Sequence, residues 1–139
     1  MLWPAVIRHT RRTALAVGFT DPQMALVGLR HDQLPACAHV IGEASFDDQP
    51  RARMICRNKG LLRIYAEAPG GRLLGAEMFG PGAEHLSHLL AWAVQSRLTV
   101  AMALSMPFYH PTLEEGLRSA LRDLDARLET WTIARHPAQ

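Results

Sequence analysis

The fold is decided by the stretch GLLRIYAEAPGGRLLGAEMFGPGAEHLSHLLAWAVQSRL, residues 60–98, because its hydrophobic period changes once along its length. In the first part, apolar and polar residues alternate, and Leu62, Ile64 and Ala66 share one face. A period of two predicts β-strands with the opposite face toward water. That opposite face carries Arg63, Tyr65 and Glu67. After Gly80, apolar residues recur every three or four positions, which predicts an amphipathic helix.

Shorter apolar runs outside this stretch predict further strands. The predicted strands cover residues 13–19, 24–29, 38–44, 51–57, 60–67 and 72–80, and the candidate at 38–44 is weak. The last three are separated by connections of hairpin length, which predicts an antiparallel meander. Residues 31–36 predict a loop or a single helical turn, since they are polar and contain a proline.

Three helices follow the strands. The first covers 81–98, and a short one follows over 100–104 with Thr99 as its candidate cap. The last begins near Pro111 and carries one apolar stripe: Leu113, Leu117, Ala120, Leu121, Leu124 and Leu128. Strands first and helices afterwards predict an α+β fold, an antiparallel sheet with helices packed on one side.

Length and composition limit the classes of function. The chain has 139 residues, 48% hydrophobic and 20% charged, which is ordinary for one globular domain. The net charge of +2 is too small to indicate a nucleic-acid or membrane surface. No apolar run approaches the roughly 20 residues of a membrane span. The first residues lack the order of a signal peptide, so a cytoplasmic protein is expected.

Metal and redox chemistry have little support in the sequence. His85 and His88 are three positions apart on a predicted helix, but two ligands do not make a site, and no metal is predicted. Cys37 and Cys56 have no CxxC or zinc spacing. Both are expected to be buried or half-buried thiols, with Cys56 pointing inward.

The segment FYHPTLEEGLRSAL, residues 108–121, carries the candidate chemistry. Thr112 to Glu115 reads T-x-x-E, a capping box, which by itself would account for the glutamate. His110 alone is compatible with an ordinary loop histidine. The alternative is an acid–base pair, because a carboxylate that holds one ring nitrogen leaves the other to exchange protons near neutral pH. Pro111 would stiffen the corner that carries the histidine and permits a cis peptide.

Three segments in order carry a resemblance to a known family. FTDPQMALVGL (19–29), GRLLGAEMFGPGAEHL (71–86) and HPTLEE (110–115) resemble the C-terminal dimerisation domain of the pyridine nucleotide–disulfide oxidoreductases, such as dihydrolipoamide dehydrogenase and glutathione reductase. The resemblance extends over most of the chain, from about residue 11 to residue 124.

The resemblance implies a role for each residue of the H-P-T-x-x-E motif. His110 would be the catalytic base and Glu115 would orient it, whereas Glu114 would take no part. The histidine would act across a homodimer interface, exchanging a proton with a dithiol or disulfide substrate at the partner subunit's flavin. Pro111 would lie beside that flavin. Mercuric reductases resemble this family too, but an intact histidine–glutamate pair favours a disulfide substrate, with lipoamide first.

The resemblance also implies that the chain is part of a longer enzyme. The FAD domain, the NAD(P) domain and the redox-active cysteine pair would lie upstream, so the isolated chain is expected to be inactive. Residues 1–12 would be the tail of the preceding domain or a linker, 13–130 the dimerisation domain, and 131–139 a loose C-terminal tail. The alternative is a free-standing, non-catalytic α+β dimerisation or binding module.

Overall fold

A computed structural model describes residues 11–36 and 38–135, which form one five-stranded antiparallel sheet and four α-helices. The strands are β1 (Leu15–Gly18), β2 (Gln23–Gly28), β3 (His39–Ser45), β4 (Leu61–Glu67) and β5 (Leu73–Gly80). Their spatial order is β1-β2-β5-β4-β3, and all neighbours are antiparallel. The helices are α1 (Pro50–Met54), α2 (Ala83–Gln95), α3 (Val100–Leu104) and α4 (Glu115–Arg135), and a 3-10 turn covers His31–Gln33.

The long helices cover one face of the sheet and confirm the predicted fold class. Helix α2 packs on β1, β2 and β5, whereas α4 packs on β3 and β4. The alternating residues Leu62, Ile64 and Ala66 of β4 are fully buried beneath them. Gly42 of β3 lets α4 approach closely, since a Cβ atom there would lie 2.4 Å from the Ala120 carbonyl oxygen. The leucine stripe predicted for the last helix is buried from Leu117 to Leu128.

The opposite face of the sheet is less polar than predicted. Tyr65, expected to face water, is fully buried, and its hydroxyl donates a 2.8 Å hydrogen bond to Glu77. Arg63 forms the expected surface contact, a 2.8 Å ion pair with Glu43 of β3. Met24 and Phe79 leave nearly half of their surface exposed on this face.

The strand predicted at 51–57 is wrong, because Pro50–Met54 forms a short helix. Gln49 caps this helix by accepting a hydrogen bond from the Ala52 N–H group, and Pro50 suits the first helical position. The alternation of arginines with apolar residues does not mark the buried face of a strand here, because Ala52 is the one buried residue of this helix. The meander is therefore β3–β4–β5, and the weak strand candidate is its first strand.

Cys56 does not point inward as expected. It is exposed and has a left-handed backbone with φ of 56°. Cys56 lies two residues after the end of α1, in the connection to β4. Cys37 lies outside the described residues.

The other helix predictions are confirmed, with adjusted ends. Thr99 caps α3 through a 3.2 Å bond from the Met102 N–H group. Helix α4 continues to Arg135, although the chain after residue 130 was expected to be loose.

Within the described ranges, no helix is both long enough and apolar enough to cross a membrane. Most of the predicted leading segment 1–12 lies outside the described residues, and the domain limits remain predictions.

Candidate functional site

His110 lies on an exposed corner between α3 and α4. Helix α3 ends at Leu104, and the chain runs without regular structure to the start of α4 at Glu115. The His110–Pro111 peptide bond is cis. The His110 side chain is 68% exposed, whereas that of Glu115 is 22% exposed, so the carboxylate lies behind the ring.

His110 and Glu115 form a short hydrogen bond. The Nδ1 atom of His110 is 2.7 Å from Oε2 of Glu115. Because an ionised carboxylate only accepts, Nδ1–H is the donor, and the tautomer follows from this partner. Neutral His110 then carries its free lone pair on Nε2, on the ring's other side. An imidazole held in this way can take a proton at Nε2, and the carboxylate would stabilise the imidazolium that results.

The same glutamate oxygen also accepts a backbone hydrogen bond just before the helix. Oε2 of Glu115 accepts from the backbone N–H group of Thr112 at 3.3 Å, which is the glutamate half of a capping box. The threonine half is missing, because Thr112 Oγ1 donates to the Tyr109 carbonyl oxygen at 2.8 Å. The capping contact and the histidine contact therefore coexist on one carboxylate.

The neighbours of the pair take different positions. Glu114 lines a cleft between α2 and α4, and Glu115 is the carboxylate that reaches the histidine. Pro111 lies at the exposed corner beside His110. Gln49 also belongs to this region, since its side-chain amide donates to the Thr112 carbonyl oxygen at 2.5 Å. Gln49 was missed because residues 46–50 read as a loop and 51–57 as a strand; the Gln-Pro pair signals a helical turn but not the contact with Thr112.

An apolar surface extends from this corner along α2 and α3. The cleft between α2 and α4, about 460 Å³ in volume, is walled by Leu90, Phe108 and Leu117. Large apolar side chains remain exposed around it, namely Leu89, Trp92, Met102, Met106 and Tyr109. The last of these precedes His110 directly. A group of large exposed apolar side chains beside an apolar cleft is typical of a protein contact.

The two histidines of α2 both contact Glu84. His85 Nε2 lies 3.4 Å from the Glu84 carboxylate, and His88 Nδ1 lies 2.6 Å from the Glu84 carbonyl oxygen. Across residues 11–36 and 38–135, no three histidine, cysteine, aspartate or glutamate side chains are grouped as metal ligands.

Comparison with known families identifies the domain. The model of the pyridine nucleotide-disulphide oxidoreductase dimerisation domain matches residues 15–121, from β1 into α4. The chain belongs to this family. The resemblance of the three quoted segments is thereby confirmed, and HPTLEE lies within the matched range.

Proteins similar to this dimerisation domain include mercuric reductases and dihydrolipoyl dehydrogenases. The chain is 33% identical over 110 residues to a mercuric reductase of Acidithiobacillus ferrooxidans, covering 76% of this chain and 20% of the relative. It is 34% identical over 107 residues to a dihydrolipoyl dehydrogenase of Halobacterium salinarum, covering 76% of this chain and 23% of the relative. The chain thus spans between a fifth and a quarter of these relatives' length.

Solved structures agree with this dimerisation-domain fold. LpdA from Mycobacterium tuberculosis superposes with a TM-score of 0.76 at 28% identity, covering 85% of this chain and 26% of that one. The flavoprotein disulfide reductase RclA from Escherichia coli, as its Cu(II) complex, gives a TM-score of 0.76 over 81% of this chain and 26% of that one. At 19% identity, the second likeness supports the fold alone.

Proposed function

We propose that this chain is the dimerisation domain of a flavin-dependent disulfide oxidoreductase and gives His110 and Glu115 to the active site of its partner subunit. The observation that carries this proposal is the 2.7 Å bond between His110 Nδ1 and Glu115 Oε2 on an exposed corner. A histidine oriented by a carboxylate, with its other nitrogen free, is the arrangement that acid–base catalysis requires.

The chain's own contribution is the movement of one proton. Nε2 of His110 takes the proton from a substrate thiol, which leaves a thiolate as the nucleophile for disulfide exchange. The imidazolium keeps its Nδ1–H bond to the Glu115 carboxylate, so the charge that forms is compensated at once. The proton returns from Nε2 to a thiolate when the reaction runs in the opposite direction.

FAD and NAD(P) would be bound by other parts of the full-length enzyme, and the flavin would supply a two-electron acceptor for oxidation of the dithiol. The Gly80-Pro81-Gly82 turn joins a strand to a helix, but it is shaped for packing rather than for phosphate. A Cβ atom at Gly82 would lie 2.9 Å from the Leu113 side chain. Pro111 would lie beside the partner's flavin.

Homodimer formation is supported by the apolar surface beside the histidine. Trp92 is 65% exposed and Tyr109 is 82% exposed, although both are large aromatic residues. Exposing them to water is unfavourable, and aromatic residues are enriched at the centres of protein contacts. A second copy that covers this surface would lie directly next to His110, as transfer of a proton across the interface requires.

A dithiol or disulfide is the proposed substrate, with lipoamide first. The intact pair of His110 and Glu115 favours it, because proton exchange with a thiol is what the pair supplies. Reduction of mercuric ion is the second candidate, since relatives named mercuric reductase are as similar to the chain as those named dihydrolipoyl dehydrogenase. Turnover of the full-length enzyme with lipoamide and with mercuric ion distinguishes the two.

The test is His110→Ala in the full-length enzyme, with His85→Ala as the matched control. His85 is also exposed, but it lies on α2 and has no contact with Glu115. Loss of a general acid–base residue lowers turnover by about 100- to 10,000-fold. We expect this loss for His110→Ala, with unchanged flavin content, and wild-type turnover for the control. Unchanged disulfide turnover in His110→Ala would overturn the proposal, and the isolated chain should have no activity.

A further inference from the structure

A buried side chain outside the corner connects the start of α4 to the rest of the fold. The segment 46–54, which contains α1, contacts Gly116 in the first turn of α4 and Thr112 just before that helix. Phe46 is fully buried, and its ring lies where a Cβ atom at Gly116 would come within 3.1 Å. Gly116 directly follows Glu115, so this ring limits movement of the glutamate's backbone.

Gln49 makes the second contact, and both polar atoms of its side chain have a hydrogen-bond partner. It is only 7% exposed. Its Oε1 accepts from the Ala52 N–H group at 2.6 Å, and its Nε2 donates to the Thr112 carbonyl oxygen at 2.5 Å. Its backbone N–H group donates to Phe46, and its carbonyl oxygen accepts from Arg53. A buried amide with all its groups satisfied has one stable orientation, because any rotation would leave a polar atom unpaired.

The contact with Thr112 links Gln49 to the histidine through an unbroken series of hydrogen bonds. The carbonyl oxygen of Thr112 accepts a hydrogen bond from the Gln49 amide, and the N–H group of Thr112 donates one to Glu115 Oε2. That same Oε2 atom holds His110 Nδ1. The position of the carboxylate, and with it the ring, therefore depends on where the Thr112 residue is held.

The corner packs on the core through Phe108 and Leu113, but it has few other hydrogen bonds. Residues 105–114 form no helix or strand, and their remaining hydrogen bonds run within the corner or to α3 and α4. Within the described part of the chain, Gln49 is the one residue beyond α3 and α4 that hydrogen-bonds this segment. Pre-organisation of an exposed catalytic group requires such support from a rigid element.

We infer that Gln49 is a positioning residue for the acid–base pair: its amide fixes the Thr112 residue and thereby sets the orientation of Glu115 and His110. This inference rests on the proposed function, since it gives the pair its geometry. Gln49 does not touch the substrate and takes no part in proton transfer.

The test reads the tautomer of His110 by long-range ¹H–¹⁵N correlation spectra of the chain with labelled histidine. Spectra are recorded over a series of rising pH and are compared where the histidine signals no longer change with pH. Gln49→Glu keeps an acceptor for the Ala52 N–H group but removes the donor to Thr112. Gln49→Asn is a second, milder variant whose amide is one methylene too short for both contacts. Asp48→Asn is the matched control, because Asp48 is adjacent, almost fully exposed and outside this network.

We expect His110 in the wild type and in Asp48→Asn to carry its proton on Nδ1, and both Gln49 variants to show a mixture of tautomers. In the full-length enzyme the same variants should lower kcat by about tenfold to a hundredfold, the scale of a misplaced catalytic group, with little change in KM. A pure Nδ1–H tautomer in a folded Gln49 variant would overturn the inference. Glu115→Ala separates the two failures: if it shifts the tautomer and the Gln49 variants do not, only the role of Gln49 is lost. If Glu115→Ala leaves the tautomer unchanged, the proposed pair fails and the inference fails with it.

Discussion

Oε2 of Glu115 accepts hydrogen bonds from both the Nδ1–H group of His110, at 2.7 Å, and the backbone N–H group of Thr112, at 3.3 Å. The carboxylate of the first residue of α4 therefore also holds the histidine ring. The geometry of the proposed acid–base pair is coupled to the start of the helix, since the glutamate cannot move without losing both contacts. The glutamate half of a capping box and the histidine–glutamate pair look like alternatives in the sequence, but they share one carboxylate oxygen.

Glu115→Ala is expected to affect both stability and turnover. Loss of a capping side chain costs about 0.5–2 kcal/mol in the free energy of unfolding. Urea unfolding of the chain at fixed protein concentration measures this loss, and Glu114→Ala is the matched control because Glu114 does not contact His110. In the full-length enzyme, Glu115→Ala should also reduce disulfide turnover at least tenfold, since the base loses its orientation. Equal effects of the two substitutions would contradict the coupling.

Trp92→Lys is expected to weaken or abolish the homodimer. The substitution places a charge in the exposed apolar surface on α2 that a second copy would cover. Sedimentation equilibrium of the chain measures the dissociation constant, which should rise at least tenfold. Met24→Lys is the control, because Met24 is also half-exposed but lies on the opposite face of the sheet. Equal dissociation constants for wild type and Trp92→Lys would place the interface elsewhere.

Gly42→Ala is expected to destabilise the fold through the contact between β3 and α4. The added methyl group would lie 2.4 Å from both the Ala120 carbonyl oxygen and the Leu124 side chain, so the helix must move away. Overpacking of this kind costs about 1–3 kcal/mol. Gly70→Ala is the matched control, since nothing lies within 4 Å of a Cβ atom there. Thermal unfolding of the two variants compares them directly, and equal midpoints would contradict the close approach of α4.

Tyr65 is expected to make stability fall at alkaline pH. Burial, and then the hydrogen bond to Glu77, raise the pKa of Tyr65 in the folded protein. The unfolded chain loses this proton near pH 10, where the folded protein still holds it. The stabilisation is therefore present below about pH 10 and is lost as the pH rises above that value.

Urea unfolding between about pH 8 and pH 11 tests this dependence, because Tyr65→Phe removes the ionisable group. The variant should lose less stability across this range than the wild type. Tyr109→Phe, at an exposed position with no carboxylate partner, should keep the wild-type slope. Parallel slopes for wild type and Tyr65→Phe would contradict the assignment.

The fold was predictable where the hydrophobic period was clear and uninterrupted. The alternation in β4, the leucine stripe of α4 and the Thr99 cap all follow from residues that act locally. The segment 51–57 was mispredicted because five helical residues are too few to show a helical period. Tyr65 was predicted to be exposed because alternation shows on which face of the sheet a side chain lies, but not what covers it there. Its hydrogen bond to Glu77 on the neighbouring strand is a tertiary contact.

The site was predictable only in part. The spacing of His110 and Glu115 indicated that they could meet, and the structure brings them together at hydrogen-bond distance. The contribution of Gln49 could not be predicted, because it is 63 positions from Thr112 in sequence and depends on how α1 packs against the corner. Supporting residues of this kind are fixed by tertiary structure, and local sequence carries no signal for the pairing.

The central claim, that His110 acts in the partner's active site, is tested most directly by mixing two inactive versions of the full-length enzyme. One subunit carries His110→Ala, and the other keeps His110 but lacks the redox-active cysteine pair. If the histidine acts across the interface, each heterodimer regains one complete site, and random mixing restores about a quarter of the wild-type disulfide turnover per subunit. If mixed dimers form and turnover does not rise above that of the separate variants, His110 does not act in trans and the account is wrong.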